Sequence, residues 1–183
     1  RTMPEYSKHP DTLWAPWRLS YIKGNVETGA LPEPDAWLPG ADKSCFLCRA
    51  AALSEHHDRD LGVLERTDHC LVILNRYPYT NGHLLIAPLQ HQATLLEIDA
   101  PVLLDLQQLL AAWCQRLTKA IEAQGFNIGL NLGRVAGAGV PGHLHWHLVP
   151  RWPGDVNFMT SVAGVRVIPQ ALDDLWDQLR ACL

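Results

Sequence analysis

Three histidines alternate with apolar residues in the stretch of residues 142–151, which reads GHLHWHLVPR. Successive side chains of a β-strand point to opposite faces, so His143, His145 and His147 are expected on one face and the apolar residues on the other. A neutral imidazole can act as a nucleophile, a proton carrier or a metal ligand near neutral pH. The pattern predicts a three-histidine metal site or a row of catalytic histidines, against the alternative of core histidines that coincide by chance.

Glycines crowd the loop before these histidines, and they are Gly133, Gly137, Gly139 and Gly142. Glycine accepts positive φ angles, so such a loop can turn several backbone N–H groups toward one point and form a nest for an anion. A plain flexible hairpin would explain the glycines alone equally well. Because the loop leads directly into the row of histidines, it favours a phosphate site.

The lack of nearby carboxylates helps to choose between metal and phosphoryl chemistry. Catalytic zinc sites commonly use three protein ligands, with a carboxylate or carbonyl that orients each histidine. Residues 127–152 contain no Asp or Glu. A phosphoryl substrate fits better, because a neutral imidazole can attack phosphorus while backbone amides stabilise the equatorial oxygens and a neighbouring imidazolium donates to the leaving group. His145, with a histidine on either side, is the predicted nucleophile.

The elements that must position these residues predict an α+β domain. Apolar runs bounded by polar, Pro or Gly residues predict a meander of antiparallel strands, in LGVLER from Leu61, HCLVILNRYP and GHLLIAPL. Residues 126–133 alternate as a further strand would. Apolar residues at helical spacing predict one long helix over residues 99–124, followed by Gly125, and an amphipathic C-terminal helix from about residue 170 to 181. Strands, an inserted helix, more strands and a last helix are typical of the α+β class.

The length of 183 residues suits one domain with its own core. We expect a Pro- and Trp-rich arm over residues 1–44, a catalytic domain over 45–152 and a C-terminal extension over 153–183. A formal charge of −4 argues against a nucleic-acid polymer as partner. No stretch approaches the ~20 apolar residues of a membrane span or the apolar run of a signal peptide. Five cysteines without a framework-like spacing predict a cytoplasmic location.

With its flanks, the histidine stretch resembles the histidine triad superfamily of nucleotide hydrolases and transferases. HLHWHLV fits the family signature, VILNRYPYTNGHLLIAPLQH is similar to the family's strand-turn-strand block, and NLGRVAGAGVPG is similar to its phosphate loop. This resemblance covers residues 45–151. LWAPWRLSYI and PRWPGDVNFM resemble a bacterial branch that includes diadenosine tetraphosphate phosphorylases. The resemblance implies a HIT-like fold and a homodimer.

The resemblance also implies roles for individual positions. His145 would form a nucleotidyl-histidine intermediate, and His147 would contact the phosphate and the leaving oxygen. Asn75 matches a ribose-binding residue, and His83 matches a family histidine whose side chain need not be catalytic. The positions implied near the phosphate are Asn131 and, through the loop backbone, Gly137, Gly139 and Val140. Family transferases that act on hexose 1-phosphates carry Gln in place of His147, so the histidine favours hydrolysis or phosphorolysis.

A second candidate site begins with CFLC, in which Cys45 and Cys48 have the spacing of zinc ligands. No second CxxC follows, so a chance pair is the alternative. The resemblance implies the missing ligands, because several family members hold a structural zinc with such a pair and two histidines. The matching histidines here are His91 and His143. These ligands would close a tetrahedral site and leave no position for a substrate.

The predicted function is cleavage of a dinucleoside polyphosphate, such as diadenosine tetraphosphate, through a nucleotidyl-histidine at His145 with phosphate or water as acceptor. Three alternatives remain open from the sequence. A nucleoside phosphoramidase would use the same residues on a phosphorus–nitrogen bond. A non-catalytic nucleotide-binding module would keep the fold without turnover, and an open three-histidine metalloenzyme would lose its activity at once on chelation.

Overall fold

The computed structural model of this chain describes residues 31–155 and 168–183. LWAPWRLSYI and the last residues of PRWPGDVNFM, which carry the resemblance to the bacterial branch, lie outside the described residues. Most of the predicted N-terminal arm lies outside them as well. The boundaries expected for the arm and for the C-terminal extension stay predictions.

Five strands form one antiparallel sheet in the order β1-β2-β3-β5-β4. The strands are β1 (Val63–Arg66), β2 (Cys70–Leu74), β3 (Leu84–Pro88), β4 (Gly125–Leu130) and β5 (Trp146–Arg151). The first three follow one another as the predicted meander, whereas β5 lies between β3 and β4. The strand that carries His147 is therefore an inner strand. The sheet and its helices confirm the α+β class.

Within residues 31–155 and 168–183, four α-helices accompany the sheet, and they are α1 (Phe46–Ala52), α2 (Asp58–Leu61), α3 (Ala100–Ile121) and α4 (Leu172–Arg180). The predicted long helix is α3, with Pro101 in its first turn. It ends before the predicted residue 124, because Glu122 takes a left-handed φ of 54°. Gly125, which the sequence suggested as the residue after the helix, already begins β4 and pairs with Arg151.

Apolar residues pack on both faces of the sheet. On one face, Trp113 and Leu117 of α3 form a buried cluster that includes the apolar residues between the histidines, Leu144, Trp146 and Leu148. On the other face, Leu47 of α1 and Leu61 of α2 pack in a second cluster with alternate residues of β2 and β3. The predicted alternation is therefore present, and the histidines face away from α3.

The C-terminal helix α4 packs on the α3 side of the core. Leu175 and Leu179 are buried in the cluster that contains Trp113. The indole N–H of Trp176 donates to the carbonyl of Val63 in β1 over 2.8 Å. Helix α4 is thus fastened to the sheet by apolar contacts and by a hydrogen bond. None of the described helices is long and apolar enough to cross a membrane.

The strand that carries the histidines is shorter than predicted. β5 begins at Trp146, so His147 lies in the strand while His143 and His145 lie in the segment that leads into it. The prediction that all three histidines occupy one strand is wrong in this respect.

Proline chemistry explains where the strand begins. The register pairs Ile86 of β3 with Trp146 of β5, so two further pairs would place Ala87 opposite His145 and then Pro88 opposite Leu144. Proline has no N–H with which to continue the ladder. The N–H of Leu144 instead donates to the carbonyl of Gln92 over 2.6 Å. The backbone of the lead-in, residues 143–145, is therefore held at Leu144 by the turn beyond β3 rather than by the ladder of β3.

Candidate active site and metal cluster

His145 is nearly buried, with 6% of its surface exposed. Its Nδ1 lies 2.8 Å from the backbone oxygen of His143. A carbonyl oxygen only accepts, so Nδ1 carries the proton and donates it, and the neutral ring keeps a lone pair on Nε2. The backbone thereby holds the ring in the tautomer that a nucleophile requires.

His147 is bonded to His83. The Nε2 of His83 and the Nδ1 of His147 lie 2.9 Å apart. The other ring nitrogen of His83 accepts the backbone N–H of Tyr79 over 3.1 Å, so the proton of neutral His83 is on Nε2 and is donated to His147. Neutral His147 in turn carries its own proton on Nε2. His83 therefore donates a hydrogen bond to His147, a contact that the sequence did not predict.

Asn75 fixes the direction of these hydrogen bonds. Its Oδ1 accepts the backbone N–H of Tyr77 over 2.9 Å, which leaves Nδ2 to donate to Nδ1 of His83 over 3.2 Å. Donors therefore run in one direction, from Asn75 through His83 to His147. The predicted contact of Asn75 with a ribose stays a prediction.

The Nε2 of His147 lies 3.5 Å from Nδ2 of Asn131, and two donors cannot bond to each other. An amide turned with its oxygen toward the ring accepts the proton of that nitrogen. Burial first, and the positive charge of a protonated His145 second, lower the pKa of His147 to about 4. At neutral pH, His147 is therefore an uncharged ring that presents an N–H.

His143 belongs to a different cluster. Its Nε2 donates to the carbonyl of Pro88 over 2.9 Å, and its Nδ1 lies 3.4 Å from the sulfur of Cys45 and 3.4 Å from that of Cys48. The sulfur of Cys48 also lies 3.2 Å from Nδ1 of His91. The ligand atoms of these four residues lie within 4.8 Å of one another. The structure thus brings the four predicted metal ligands together.

The donor set of this cluster fits a tetrahedral zinc ion. Two sulfur or nitrogen ligands on such an ion lie about 3.3 to 3.8 Å apart, and the S···N distances here are 3.2 to 3.4 Å. A carbonyl behind a histidine, as at His143, is a usual outer partner of a metal ligand. Burial raises the pKa of the Cys45 thiol to about 12, so a thiolate there needs a cation beside it. The cluster could therefore bind a metal.

The three histidines do not share one metal site. In the described part of the chain, the group of side chains that could hold a metal includes His143 but neither His145 nor His147. The Nδ1 atoms of His145 and His147 are both engaged within the protein. The lead-in and β5 therefore serve two sites, which disfavours the open three-histidine metalloenzyme.

The glycine loop connects β4 to the metal cluster. Gly137 has a left-handed φ of 87° and donates its N–H to Arg134 over 3.0 Å. The carbonyl of Val140 accepts the N–H of His143 over 3.2 Å. Within the described residues, the N–H groups of Gly139 and Val140 make no backbone hydrogen bond. Their contact with a phosphate stays a prediction, and the N–H of Gly137 is already engaged in the loop.

A cleft of about 800 Å³ opens beside His147. Arg151, Tyr79 and Asn127 line this cleft. Arg151 follows His147 by four residues in β5, so the two lie on the same face of the strand. Arg151 is paired with Asp155 and donates to Asn127 over 2.7 Å. The cleft therefore combines amide and aromatic groups with an arginine whose charge is balanced.

Tyr79 and Arg151 were not among the predicted site residues. The Tyr79 ring stacks on His147 with centroids 5.9 Å apart. Arg151 shares a face with His147 by the period-two spacing of the strand, so this spacing could have identified it. Nothing in the spacing around Tyr79 indicates the ring contact, which depends on the β2–β3 turn.

Comparison with known proteins identifies the family. A profile of the HIT domain matches residues 58–154. The chain is 35% identical to the AP-4-A phosphorylase of Mycobacterium tuberculosis over 167 residues, which cover 88% of this chain and 78% of that protein. This chain belongs to the HIT family.

Two further proteins are similar to this HIT chain. The adenosine 5'-monophosphoramidase hnt1 of Schizosaccharomyces pombe is 30% identical over 59% of this chain and 74% of that protein. The crystal structure of a Zn-bound histidine triad family protein from Mycobacterium smegmatis is 29% identical, covers 66% of this chain and 81% of that chain, and has a TM-score of 0.50. The predicted HIT-like fold is confirmed, and the HIT relatives include enzymes such as the phosphorylase.

Proposed function

We propose that this HIT protein cleaves dinucleoside polyphosphates, such as diadenosine tetraphosphate, by transferring a nucleotidyl group to His145 and then to phosphate or water. The observation that carries the proposal is the hydrogen bond from Nδ1 of His145 to the His143 carbonyl, since it leaves a lone pair on Nε2. The identity of 35% to an AP-4-A phosphorylase supports the substrate class.

In the first step, Nε2 of His145 attacks the α-phosphorus. A P–N bond forms, and the P–O bond to the leaving nucleotide breaks. His147 donates its Nε2–H to an oxygen that gains charge, and it does so as a neutral ring. The nucleotide leaves as a polyphosphate anion, which needs no proton at neutral pH.

In the second step, the acceptor attacks the same phosphorus and the P–N bond breaks, which returns the lone pair to His145. With inorganic phosphate a new P–O–P linkage forms, and diadenosine tetraphosphate gives ATP and ADP. With water the products are ATP and AMP, and the proton of the attacking water is released. The cleft beside His147 has room for the leaving nucleotide.

Product analysis tests this proposal. Purified protein is incubated with diadenosine tetraphosphate, with and without inorganic phosphate, and the nucleotides are separated by chromatography. ADP with ATP, formed only when phosphate is present, would support a phosphorylase. AMP with ATP in both conditions would support a hydrolase. No turnover in either condition would contradict the proposal.

A nucleoside phosphoramidase is the second candidate. The 30% identity to an adenosine 5'-monophosphoramidase favours it. Nε2 of His145 would attack a phosphorus–nitrogen substrate in the same way, the leaving nitrogen would take a proton from Nε2 of His147, and the attacking water would return that proton. Adenosine 5'-monophosphoramidate would then give AMP and ammonia. A higher kcat/KM for this substrate than for diadenosine tetraphosphate would decide for the phosphoramidase. Nucleotide binding without turnover of either substrate would favour the binding module.

We further propose that Cys45, Cys48, His91 and His143 hold a structural zinc ion. When bound there, zinc would balance the thiolate charge and tie α1 to the segment that leads into β5. The Zn-bound protein from M. smegmatis supports this choice of metal. We expect about one zinc per chain by elemental analysis, and less zinc and a lower Tm in His143→Ala. Protein purified without chelators that holds almost no zinc would contradict the proposal.

We also propose a homodimer that forms through β4. This strand is at the edge of the sheet, and Ile128 in its middle is 49% exposed. An edge with an exposed apolar residue can pair with a second copy of itself. A nucleotide as the partner molecule, rather than a nucleic-acid polymer or a membrane, and the cytoplasmic location stay predictions from the sequence.

A further inference from the structure

His145 is bonded to a peptide group that is held at both ends. The carbonyl that accepts its Nδ1–H belongs to the peptide between His143 and Leu144. The N–H of the same peptide, on Leu144, donates to the carbonyl of Gln92 over 2.6 Å. The orientation of the carbonyl that holds the His145 ring therefore depends on Gln92.

A second peptide group extends this series of hydrogen bonds to the carboxylate of Glu97. The accepting carbonyl of Gln92 belongs to the peptide whose N–H is on Ala93, and that N–H donates to Oε2 of Glu97 over 2.7 Å. The N–H of Thr94 donates to the same oxygen over 2.8 Å. These backbone donors, Thr94 first and Ala93 second, lower the pKa of the Glu97 carboxyl, so the group is charged at neutral pH.

The turn over residues 92–97, which presents these groups, is held by hydrogen bonds between its own residues. The side-chain amide of Gln92 donates to the carbonyl of Glu97 over 2.5 Å. Glu97 is the last residue of the 3-10 turn Leu95–Glu97. Its carboxylate and its backbone are therefore both bonded to residues 92–94, which fixes where the Gln92 carbonyl points.

Hydrogen bonds in series polarise one another. The negative Glu97 carboxylate, which accepts the N–H of Ala93, makes the carbonyl oxygen of Gln92 a stronger acceptor. The hydrogen bond from the N–H of Leu144 to that oxygen is then stronger, and the carbonyl oxygen of His143 becomes more negative. A more negative oxygen stabilises the positive charge that the His145 ring gains when Nε2 bonds to phosphorus. In a Ser-His-Asp triad the carboxylate touches the histidine directly. Here it would act through two amides.

We propose that Glu97 is a positioning residue for the nucleophile, because it fixes and polarises the His143 carbonyl through two consecutive backbone hydrogen bonds. Glu97 lies on the surface and does not line the cleft beside His147. The inference rests on the proposed function, since it takes His145 as the nucleophile.

Two variants of Glu97 separate charge from geometry. Glu97→Gln keeps an oxygen that can accept from Ala93 but removes the charge, whereas Glu97→Ala removes both. We expect kcat on diadenosine tetraphosphate to fall about threefold in Glu97→Gln and about tenfold in Glu97→Ala, with KM within about twofold of wild type. The proton resonance of His145 Nδ1–H, assigned by its loss in His145→Ala, should move upfield in the same order.

Asp42→Asn is the matched control. Asp42 is also an exposed carboxylate near His91, but it accepts hydrogen bonds from Ser44 and none from the amides of this series. Its kcat and the His145 resonance should match wild type. Equal changes in Asp42→Asn and Glu97→Gln would reduce the effect to general surface charge and overturn the proposal.

A purely structural role for Glu97 predicts a different result. Glu97→Ala would then contain less zinc or have a lower Tm, while kcat per folded molecule and the His145 resonance stayed at wild-type values. This outcome would refute the proposal. The resonance is measured without substrate. If wild-type protein turns over no dinucleotide, the proposed function fails, while an upfield shift in the Glu97 variants would still support the polarised series of bonds.

Discussion

Three chemically identical side chains acquire different tasks from the groups that bond to their ring nitrogens. Backbone carbonyls accept hydrogen bonds from His143 and His145, whereas His147 accepts one from His83. At His143 the second ring nitrogen carries a lone pair that faces two sulfurs, and at His145 it carries the lone pair that we propose for attack. At His147 it is an N–H. The division of labour at this site is therefore a matter of tautomers.

His145→Ala tests the nucleophile. We expect turnover of diadenosine tetraphosphate to fall by on the order of a thousandfold or more, because no other group supplies the attacking lone pair. Tm and the affinity for AMP, measured by calorimetry, should stay close to wild type. His69→Ala, at an exposed position, is the control and should leave kcat unchanged. A nearly normal rate in His145→Ala would assign the nucleophile elsewhere.

His147 makes stability depend on pH. Its pKa is about 4 in the folded protein, whereas an unfolded histidine titrates near its ordinary value of about 6.5. Between these values the unfolded chain binds the proton more tightly, so the free energy of unfolding falls as pH decreases from about 6.5 toward 4. Above that window the contribution of His147 is complete.

Denaturant unfolding across this pH window, on metal-free wild type and metal-free His147→Gln, measures that contribution. The variant should show a smaller loss of stability on acidification, because it lacks the titrating ring. Both proteins retain His143, whose pKa burial also lowers to about 4, so the difference between them reports on His147. Identical slopes would contradict the assignment.

At the scale of elements, the segment before β5 packs tightly at Gly142 against His91 in the turn after β3. A Cβ on Gly142 would lie 3.0 Å from Nε2 and 3.4 Å from Cε1 of His91. Gly142→Ala should therefore push His91 away from Cys48. We expect the variant to lose zinc to a competing chelator about tenfold faster than wild type.

Gly125→Ala is the control for the loss of a glycine, since its Cβ would meet only the Cβ of Arg151, at an ordinary 3.9 Å. Its zinc release should match that of wild type. If Gly142→Ala also releases zinc at the wild-type rate, His91 either tolerates the methyl group or does not bind the metal.

Helix α3 was predictable because its apolar stripe repeats over many turns, and the observed bounds differ from the predicted ones by a few residues at the C-terminus. The start of β5 was not predictable in the same way. It depends on Pro88 lying opposite Leu144, and that register is set by strands far apart in the sequence. Local periodicity carries no information about such a pairing.

Residue types identified most of the candidate site, because His and Cys at characteristic spacings indicate nucleophiles and metal ligands. The bond between His83 and His147 and the series that ends at Glu97 were missed. Both depend on which backbone groups and rings the fold brings together. Because every residue type other than proline has the same backbone N–H and C=O, the sequence does not indicate which of these groups form such bonds. Glu97 in particular looks like an ordinary surface acid.

For the whole molecule, Ile128→Asp tests the dimer proposed at β4. A charge in the middle of the edge strand should prevent two copies from pairing, so light scattering after gel filtration should change from dimer to monomer. Leu183→Asp places the same charge at a similarly exposed apolar position, where Leu183 is 51% exposed, and should leave the dimer intact. A wild-type monomer, or a dimer that survives Ile128→Asp, would contradict the proposed interface.

The strand order also governs when the site can form during synthesis. Leu84 of β3 pairs with Leu148 of β5, so the chain between them must be made before that contact closes, and closing long loops slows folding. Until then β3 exposes an unpaired edge to other chains. The segment with His145, the proposed nucleophile, is thus assembled among the last parts of the fold. A chain that ends before residue 142 would lack this segment and would expose the edge of β3.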